Sequence, residues 1–421
     1  MNPDRSTPPV EFRFSKIEFP KPKLIQYSSG LKLHYFNTPG SNAFKIEFIL
    51  RNANSFNESH LGTNLLISKL FLSGTSLKNA STISELLAQK GAFIDVSPSF
   101  DYTSITIHCL KKYVIEVLNI VSEIFQDIKF KEEELELQKS ILNSNYNIQQ
   151  KKNNVVASQK FRRILFNSYP YGNTPNPDYW NKINEEQLGI DFNKYWNDFE
   201  IISIGDHDKS IINYIDSCFK PQLQKNFFRE IKKADKSNSN VETVKIGDSI
   251  QTTIKIGKLT LSKSHKDYPA LLMTNYILGG FFGSRLMKNI REDKGLTYGI
   301  YSSIVTLNNY SYFVISSDVE ASKKELAIKE ILKEINTLIN KSLSKIELLI
   351  AKNHWLGSFQ NDLSSALSLN DKFKNYYLFG LPDSYYENLI TNISYLTTSD
   401  IQFIANKYLQ PDSMSIIKVG G

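Results

Sequence analysis

Cysteine is nearly absent from this sequence of 421 residues, which contains only Cys109 and Cys218. Two thiols provide neither a disulfide framework nor a CxxC metal or redox motif, so both are predicted to be small core residues. Long hydrophobic runs are missing as well. The longest apolar stretches, at 270–273 and 348–351, are far shorter than the roughly 18 residues that span a bilayer. We therefore expect no transmembrane helix.

Signals for export or for nucleic-acid binding are also weak. The first twenty residues mix charges with prolines and lack the apolar core of a secretory signal, which predicts a cytoplasmic protein. Lysine and arginine outnumber aspartate and glutamate by 50 to 43, but the lysines are scattered rather than gathered in a patch. Neither nucleic acid nor a membrane is an expected partner. The content of 41% hydrophobic residues is typical of a globular chain that buries its own core.

The common catalytic motifs are missing. The closest histidines, His34 and His60, are 26 residues apart, so no helix carries two histidine ligands at i and i+4. GxSxG, the P-loop and GxGxxG do not occur either. A metal site assembled from distant histidines stays open, although a lone strand histidine such as His108 is more often a core or surface residue. Nucleophile and nucleotide chemistries are not supported.

Weak internal repeats indicate two similar halves. Tyr171-Gly172 recurs as Phe379-Gly380, and the strand-like segment 202–205 recurs as 417–420, at offsets of 208 and 215 residues. Between the halves, the stretch KKADKSNSNVE that begins at Lys232 is polar and lacks aromatic residues, which is typical of a linker. We therefore predict a duplicated domain, divided into an N-terminal arm (1–20), a first domain (21–231), a linker (232–244) and a second domain (245–421).

Hydrophobic periodicity predicts an α+β fold. Alternating segments predict strands at 45–51, 93–110, 252–261 and 312–317, and longer amphipathic patterns predict helices at 114–128, 132–150 and 323–341. Capping boxes are predicted at Thr82–Glu85 and Ser322–Glu325, and Gly91 is predicted to end the first of these helices. Elements in this order predict two homologous domains, each with a mixed, mainly antiparallel sheet and helices packed on one face.

The run from Leu278 to Ser303 is the most distinctive part of the sequence. A glycine pair precedes an amphipathic helix, Gly295 is predicted to end that helix, and a tyrosine-rich strand follows. Arg291 at the helix end and Tyr298 at the strand start could lie on the same side of the sheet, where both could donate hydrogen bonds to an extended peptide. From spacing alone, the commoner arrangement is an Arg291 paired with a surface acid and a Tyr298 packed in the sheet.

Four segments, in this order, resemble the pitrilysin/insulysin family of zinc metallopeptidases, specifically its two-chain bacterial and mitochondrial-processing-peptidase-like branch. The segments are Gly62–Thr75, Gly91–Leu110, Tyr169–Trp196 and Asp267–Ser303, the last of which contains LGG at 278–280, Ser284-Arg285-Leu286 and the R-x6-Y pair of Arg291 and Tyr298. The resemblance covers nearly the whole chain. It implies two peptidase-like domains that form half of a clam-shell chamber.

The resemblance also implies that the zinc motif of the first domain is degenerate. In catalytic members, a helix that ends in a similar Gly-Thr carries H-x-x-E-H, whose histidines bind zinc and whose glutamate activates water. Leu65, Ser68 and Lys69 occupy those three positions and are not ligands. The third ligand, a glutamate, would fall near 143–146, but no acidic residue lies between Glu136 and Asp178. We expect no cofactor in this chain and zinc in a partner subunit.

The second domain keeps the family's arginine and tyrosine as Arg291 and Tyr298. The resemblance implies that the tyrosine donates a hydrogen bond to the scissile carbonyl oxygen and that the arginine holds a nearby substrate carbonyl. In the two-chain branch, one subunit brings zinc and the other brings this pair. We therefore predict a chain that is inactive alone and that supplies Arg291 and Tyr298 to a homologous zinc-bearing partner with an H-x-x-E-H motif, for peptide hydrolysis.

A second function stays open on this evidence. The chain could be a noncatalytic scaffold or a peptide-binding protein with the peptidase fold, in which the pair is merely inherited. The isolated chain could also form a homodimer.

Overall fold

A computed structural model describes residues 19–221 and 239–421. The predicted arm, except for its last two residues, and positions 232–238 of the predicted linker lie outside the described residues. The remaining linker positions include 241–244, which form a strand. Within the described ranges the chain forms two β-sheets with packed helices, so the predicted α+β class is confirmed.

The first half contains six strands and eight helices among its described residues. Its strands are β1 (Lys23–Gln26), β2 (Lys32–Asn37), β3 (Ala43–Leu50), β4 (Phe93–Pro98), β5 (Thr103–Leu110) and β6 (Glu200–Gly205). Its helices are α1 (Thr63–Leu70), α2 (Ala80–Gln89), α3 (Val114–Asp127), α4 (Glu132–Gln149), α5 (Asn153–Phe166), α6 (Pro177–Trp180), α7 (Glu185–Asp191) and α8 (Lys209–Cys218). A π-helical segment, Phe192–Trp196, and short 3-10 turns at Lys111–Tyr113 and Pro170–Gly172 complete it.

The second half contains five strands and six helices among its described residues. Its strands are β7 (Val241–Val244), β8 (Gln251–Thr260), β9 (Thr297–Thr306), β10 (Ser311–Glu320) and β11 (Ser415–Gly420). Its helices are α9 (Tyr268–Asn275), α10 (Lys324–Asn340), α11 (Lys345–Asn361), α12 (Ala366–Tyr377), α13 (Tyr385–Tyr395) and α14 (Thr398–Tyr408). Two π-helical segments, Tyr276–Gly280 and Met287–Asp293, precede β9, and 3-10 turns lie at Ala321–Lys323 and Pro411–Ser413.

The two sheets repeat one topology, as a duplicated domain requires. The first sheet has the order β1-β2-β6-β3-β5-β4 and the second has the order β7-β11-β8-β10-β9. The five strands β2–β6 of the first sheet correspond in chain order to the five strands β7–β11 of the second. In each set the first strand along the chain pairs parallel with the last, β2 with β6 and β7 with β11, and the remaining pairs are antiparallel. Only β1, at the edge of the first sheet, has no counterpart. The predicted recurrence of 202–205 at 417–420 therefore falls on β6 and β11, which occupy equivalent places.

One face of each sheet is covered by helices of its own half. Along β3, Phe44, Ile46 and Phe48 pack with residues of α1, α3 and α8 in one apolar core. Along β10, Phe313 and Ile315 pack with residues of α9, α10 and α14 in a second core. Since side chains alternate between the two faces of a strand, these residues define the predicted helix-covered face of each sheet.

The opposite face of each sheet is covered by a helix from the other half. Helix α5 lies on the second sheet, where its apolar side chains pack against Val314, Ile417 and Val419. Helix α12 lies on the first sheet, where Phe373 belongs to the same core as Ile202 and Ile204. The two halves therefore exchange helices, and both faces of each sheet are covered. Ile49 and Ile202, which belong to the core that contains α12 residues, are fully buried.

Most of the predicted elements are confirmed. Helices α3, α4 and α10 match the three long predicted helices, and Gly91 follows α2 with a φ of 58° in the left-handed region. The predicted strand at 93–110 is instead a hairpin of β4 and β5, because the Ser99 amide bonds the Tyr102 carbonyl across a tight turn. Cys109 is buried as predicted, whereas Cys218 is half-buried.

Both predicted capping boxes are wrong. Helix α2 starts at Ala80, and the side chain of Asn79 accepts the Thr82 amide at 2.9 Å, so Thr82 already lies in the first turn. Ser322 lies in a 3-10 turn that follows β10 directly and donates to Glu320, so it never takes the extended backbone of an N-cap residue. Within the described ranges, no helix is both long and apolar enough to cross a bilayer.

Candidate functional site

The first candidate site is the degenerate motif on α1. The helix begins after Gly62, which has a φ of 102°, and its buried residues pack into the core of the first half. Leu65 packs against the same core, the Ser68 hydroxyl donates to the Leu65 carbonyl at 2.7 Å, and Lys69 is exposed. A hydrocarbon, a hydroxyl bonded within its own helix and an ammonium do not form a zinc donor set.

The region of the third expected ligand is also occupied by other contacts. Asn143, on α4, accepts a hydrogen bond from the Trp180 indole at 2.8 Å, and Tyr146 packs edge-on against the same ring. Helices α1 and α4 contact each other, and Tyr146 joins Leu65 at the core of the first half. Among the described residues no group of three His, Cys, Asp or Glu side chains converges to hold a metal. The residues present do not fit zinc.

A partly buried carboxylate that sequence reasoning missed, Glu58, lies just before α1. Glu58 accepts the backbone amides of Gly62 at 3.0 Å and Asn64 at 3.2 Å, so it satisfies donors that a helix N-terminus leaves free. Burial raises the pKa of Glu58 to about 7, the nearby Asp191 adds to the increase, and the backbone bonds oppose it. Glu58 is bonded within its own chain and supports the helix rather than a metal.

The second candidate site contains Arg291, which Phe282 positions. Arg291 lies near the end of the π-helical segment Met287–Asp293, and Gly295 follows with a φ of 59°, which confirms the predicted helix stop. The guanidinium carbon lies 5.0 Å from the centre of the exposed Phe282 ring, at the distance of a cation–π contact. In the described part of the chain, Arg291 forms no ion pair, so the surface pairing that spacing favoured is not found.

Tyr298, the second residue of β9, projects into solvent. It is 90% exposed, so it does not pack in the sheet as spacing alone favoured. Strand β9 lies at the edge of the second sheet, and the segment that carries Arg291 packs against it. The helix end and the strand start therefore bring the two predicted residues to one region of the second half, whereas Leu65, Ser68 and Lys69 lie in the first half.

A β-bulge explains the outward direction of Tyr298. Thr297 pairs with Val319 and Ile300 pairs with Ser317, so two residues of β9, Tyr298 and Gly299, oppose a single residue of β10. The Thr297 hydroxyl donates to the Asp318 carbonyl at 2.7 Å and accepts the Gly299 amide at 3.1 Å, which holds the bulge. A bulge changes the direction of a side chain at a strand end, and bulges are frequent next to active sites.

This arrangement can supply hydrogen bonds but not a nucleophile or a metal. Among the described residues, Tyr298 has no hydrogen-bond partner and Arg291 has only the contact with Phe282. A phenol and a guanidinium are both donors that suit a carbonyl oxygen or an oxyanion. Sequence reasoning missed Phe282 and the bulge. The Thr297-x-Gly299 spacing, a hydroxyl two residues before a glycine, was the available signal.

Two family models match the chain. Residues 53–175 match the model described as insulinase (peptidase family M16), which includes α1. Residues 197–354 match the model described as the peptidase M16 inactive domain, which includes Arg291 and Tyr298. Together the two matched ranges contain both candidate sites.

Several known proteins are similar to large parts of this chain. A non-peptidase homolog, YmxG, of Helicobacter pylori is 26% identical over 85% of this chain and 84% of its own. An uncharacterized zinc protease of Rickettsia felis is 23% identical over 94% of this chain and 96% of its own. A probable inactive metalloprotease, YmfF, of Bacillus subtilis is 24% identical over 52% of this chain.

Solved structures share the fold. The crystal structure of a peptidase M16 inactive domain from Pseudomonas fluorescens superposes with a TM-score of 0.84 at 21% identity, over 95% of this chain and 98% of that chain. The structure of a protease from Helicobacter pylori superposes with a TM-score of 0.88 at 17% identity, over 96% of this chain and all of that one. These matches confirm the arrangement of two similar domains.

Proposed function

Because the chain belongs to the insulinase family (peptidase M16) and carries Leu65, Ser68 and Lys69 in place of the zinc motif, we propose that it is the zinc-less subunit of a heterodimeric metallopeptidase. In this proposal a homologous partner supplies zinc through H-x-x-E-H, and this chain supplies Arg291 and Tyr298. The two chains would enclose peptides in a chamber, to which each contributes one half.

The direction of Tyr298 is the observation that carries the proposal. A phenol that is 90% exposed, with no partner in the described ranges, has no role in the stability of its own domain. The bulge that directs it outward is nevertheless held by hydrogen bonds of Thr297 and of Ser317, whose hydroxyl donates to the Gly299 carbonyl at 3.0 Å. An exposed side chain on a fixed backbone is typical of a group that acts on a ligand.

The proposed chemistry uses only hydrogen bonding by this chain. Tyr298 would donate its hydroxyl proton to the carbonyl oxygen of the scissile peptide as negative charge develops there. Arg291, held over Phe282, would donate to a neighbouring peptide carbonyl and fix the register of the substrate. The partner would supply the metal and the attacking water. Neither subunit alone would hold the complete set.

Exposed apolar side chains support a protein partner. On α11, Ile346, Leu349 and Ile350 are exposed at the i, i+3 and i+4 positions that share one helix face. On α4, the equivalent helix of the first half, Leu137 and Ile141 are exposed in the same manner. Contiguous apolar surface of this kind often marks a protein interface.

A noncatalytic role is the second candidate. The relatives described as a non-peptidase homolog and as a probable inactive metalloprotease favour it, because their names state that they lack peptidase activity. A scaffold of this kind would bind the partner through the same apolar helix faces. Substitution of Arg291 or Tyr298 would then have no effect on the rate of peptide cleavage.

The test is reconstitution with a zinc-bearing family member encoded beside this chain. We expect the mixture to cleave an unstructured fluorogenic peptide much faster than either protein alone. Tyr298→Phe and Arg291→Ala should each lower kcat/KM of the mixture by about a hundredfold, the typical effect of losing one oxyanion donor. Tyr395→Phe, at a tyrosine on α13 that is 80% exposed, is the matched control and should leave the rate unchanged.

Three results would separate the candidates. No gain of activity on mixing, despite a complex seen by size-exclusion chromatography, would support the scaffold. A gain that survives both substitutions would show that the pair is not used. Tightly bound zinc in the isolated chain, together with proteolysis that chelators abolish, would contradict both candidates.

A further inference from the structure

A cavity of about 290 Å³ lies between the two halves, away from both candidate sites. Its walls come from the turn between β4 and β5, the end of β9, the loop before α9 and the end of α12; among the lining residues are Phe100, Lys263, Thr306 and Phe379. Thr306 is eight residues beyond Tyr298 on β9, so the cavity is about 26 Å from the tyrosine along the strand. Its volume is at the lower end of those of small-molecule sites.

Lys263 is the one cation among the described lining residues that forms no ion pair. Its ammonium lies 4.3 Å from the centre of the Phe379 ring, and no described carboxylate lies within ion-pair distance. By contrast, Lys374 is paired with Glu47 at 2.9 Å. Burial, with repulsion from Lys372, lowers the pKa of Lys263 to about 8, which still leaves it mostly charged at neutral pH. A desolvated ammonium without a counterion favours an anion nearby.

Three buried hydroxyl groups lie in one row across the second sheet, and one of them, that of Thr306, lines the cavity with Lys263. Thr260, Ser311 and Thr306 are in register across β8, β10 and β9, so their side chains lie on the same face of the second sheet. The hydroxyl oxygens of all three are buried; those of Thr260 and Ser311 have no hydrogen-bond partner among the described residues, and that of Thr306 faces the Tyr268 phenol. Buried polar groups of this kind are rare, and a bound polar molecule is one explanation of them. Thr306 reaches the cavity itself.

Asp101, the one acidic residue among the described lining residues, limits the charge of a ligand. Asp101 accepts hydrogen bonds from the Tyr171 hydroxyl and, at 3.0 Å, from the Asn308 amide, so its oxygens are already engaged. It adds negative potential to the cavity and would oppose a ligand with two negative charges. One free cation beside one engaged carboxylate therefore suits a ligand with a single negative charge.

We propose that this cavity is a binding site for a small monocarboxylate. The carboxylate pairs with Lys263 and accepts a hydrogen bond from the Thr306 hydroxyl, and an apolar body of the ligand packs against Phe379 and Phe100. The proposal is independent of peptide hydrolysis and of any partner chain, because every residue that it uses lies in the described part of this chain.

The test is isothermal titration calorimetry on the full chain with benzoate as the probe. Benzamide, which has the same shape without the charge, and inorganic phosphate, which carries more charge, are the comparison ligands. Lys263→Met removes the cation, and Lys266→Met, at an exposed lysine of the same loop, is the matched control. Thr306→Val removes the hydroxyl and keeps the shape of the side chain. Circular dichroism and thermal melting establish that each variant is folded.

We expect benzoate to bind at least tenfold more tightly than benzamide or phosphate. Lys263→Met should weaken benzoate binding at least tenfold and Thr306→Val severalfold, while Lys266→Met should bind as the unchanged chain does. Absence of benzoate binding would overturn the proposal, as would equal affinity for benzamide, tighter binding of phosphate, or equal losses in the two lysine variants. If Lys263→Met does not fold, the ligand comparison and Thr306→Val decide the question.

Discussion

The contact between the two halves contains a buried charge network whose strength can be measured. Glu47, on β3 of the first sheet, is 2% exposed. It accepts hydrogen bonds from Asn370 at 2.8 Å and from Lys374 at 2.9 Å, both on α12 of the second half. Lys45 lies 3.6 Å from Glu47 and is also bonded to Asp371 at 2.7 Å. Two carboxylates, Glu47 and Asp371, thus pair with two lysines, and the bonds Glu47–Lys374 and Lys45–Asp371 cross the interface.

Replacing Glu47 by leucine should destabilise the chain strongly. The substitution removes the charge, leaves Asn370 buried without its acceptor and leaves Lys374 with only the longer contact to Asp371, at 3.7 Å. Loss of one partner of a buried ion pair costs about 3–5 kcal/mol, because the remaining charge is uncompensated. The double substitution Glu47→Leu with Lys374→Met removes both charges, and an apolar replacement of a buried pair is often close to neutral. We therefore expect the double variant to be more stable than Glu47→Leu alone.

Urea unfolding followed by tryptophan fluorescence measures these free energies, since Trp180 and Trp196 lie in the first half and Trp355 lies in the second. The matched control is Lys323→Met, which breaks an exposed i, i+3 pair with Glu320 and should cost less than about 1 kcal/mol. The reasoning is refuted if Glu47→Leu costs no more than this control. It is also refuted if the double variant loses the full sum of the two single losses.

Two further predictions concern stability. Burial raises the pKa of Glu58 from 4.5 to about 7, so its contribution to the free energy of unfolding is fully present below pH 4.5 and falls by about 3 kcal/mol as the pH rises to 7. Urea unfolding at a series of pH values measures this fall, and Glu58→Gln should remove it. An unchanged pH profile in the variant would contradict the prediction. Gly257→Ala should destabilise the chain by about 3 kcal/mol or more, because the new Cβ would lie 2.0 Å from the Phe313 carbonyl oxygen. Gly357→Ala, in open space on α11, should stabilise the chain by about 0.5–1 kcal/mol. Equal melting temperatures of the two variants would show that the contact at Gly257 does not determine stability.

Local patterns in the sequence predicted much of the fold because they depend on near neighbours. The periods of 114–128 and 132–150 predicted α3 and α4 almost to the residue, since one apolar face of each helix has to meet the core. The repeat at 202–205 and 417–420 predicted the duplication, because equivalent strands at the centre of equivalent sheets keep similar side chains. The capping box predicted at Thr82 is wrong because Asn79, three residues earlier, is the N-cap residue of α2.

Features that depend on distant pairing could not be predicted. The apolar face of α5 indicates that the helix is covered, but not that the sheet beneath it belongs to the other half. The bulge at Tyr298 arises from the register of β9 against β10, and the Thr297-x-Gly299 spacing indicates it without specifying that register. The sequence placed Arg291 and Tyr298 near each other through the helix stop at Gly295, whereas the position of Phe282 follows from the packing of the loop before it. The chemical roles of the pair stay a prediction.

The exchange of α5 and α12 has a consequence for how such a chain is made and divided. A fragment that ended after the first half would retain α5 without a surface to cover, and its own sheet would expose Ile202 and Ile204 to water. The second half alone would expose Ile417 and Val419 in the same way. Each repeat covers apolar residues of the other, so we expect neither half to fold stably alone. Splitting the chain should yield two insoluble pieces that recover only when they are refolded together.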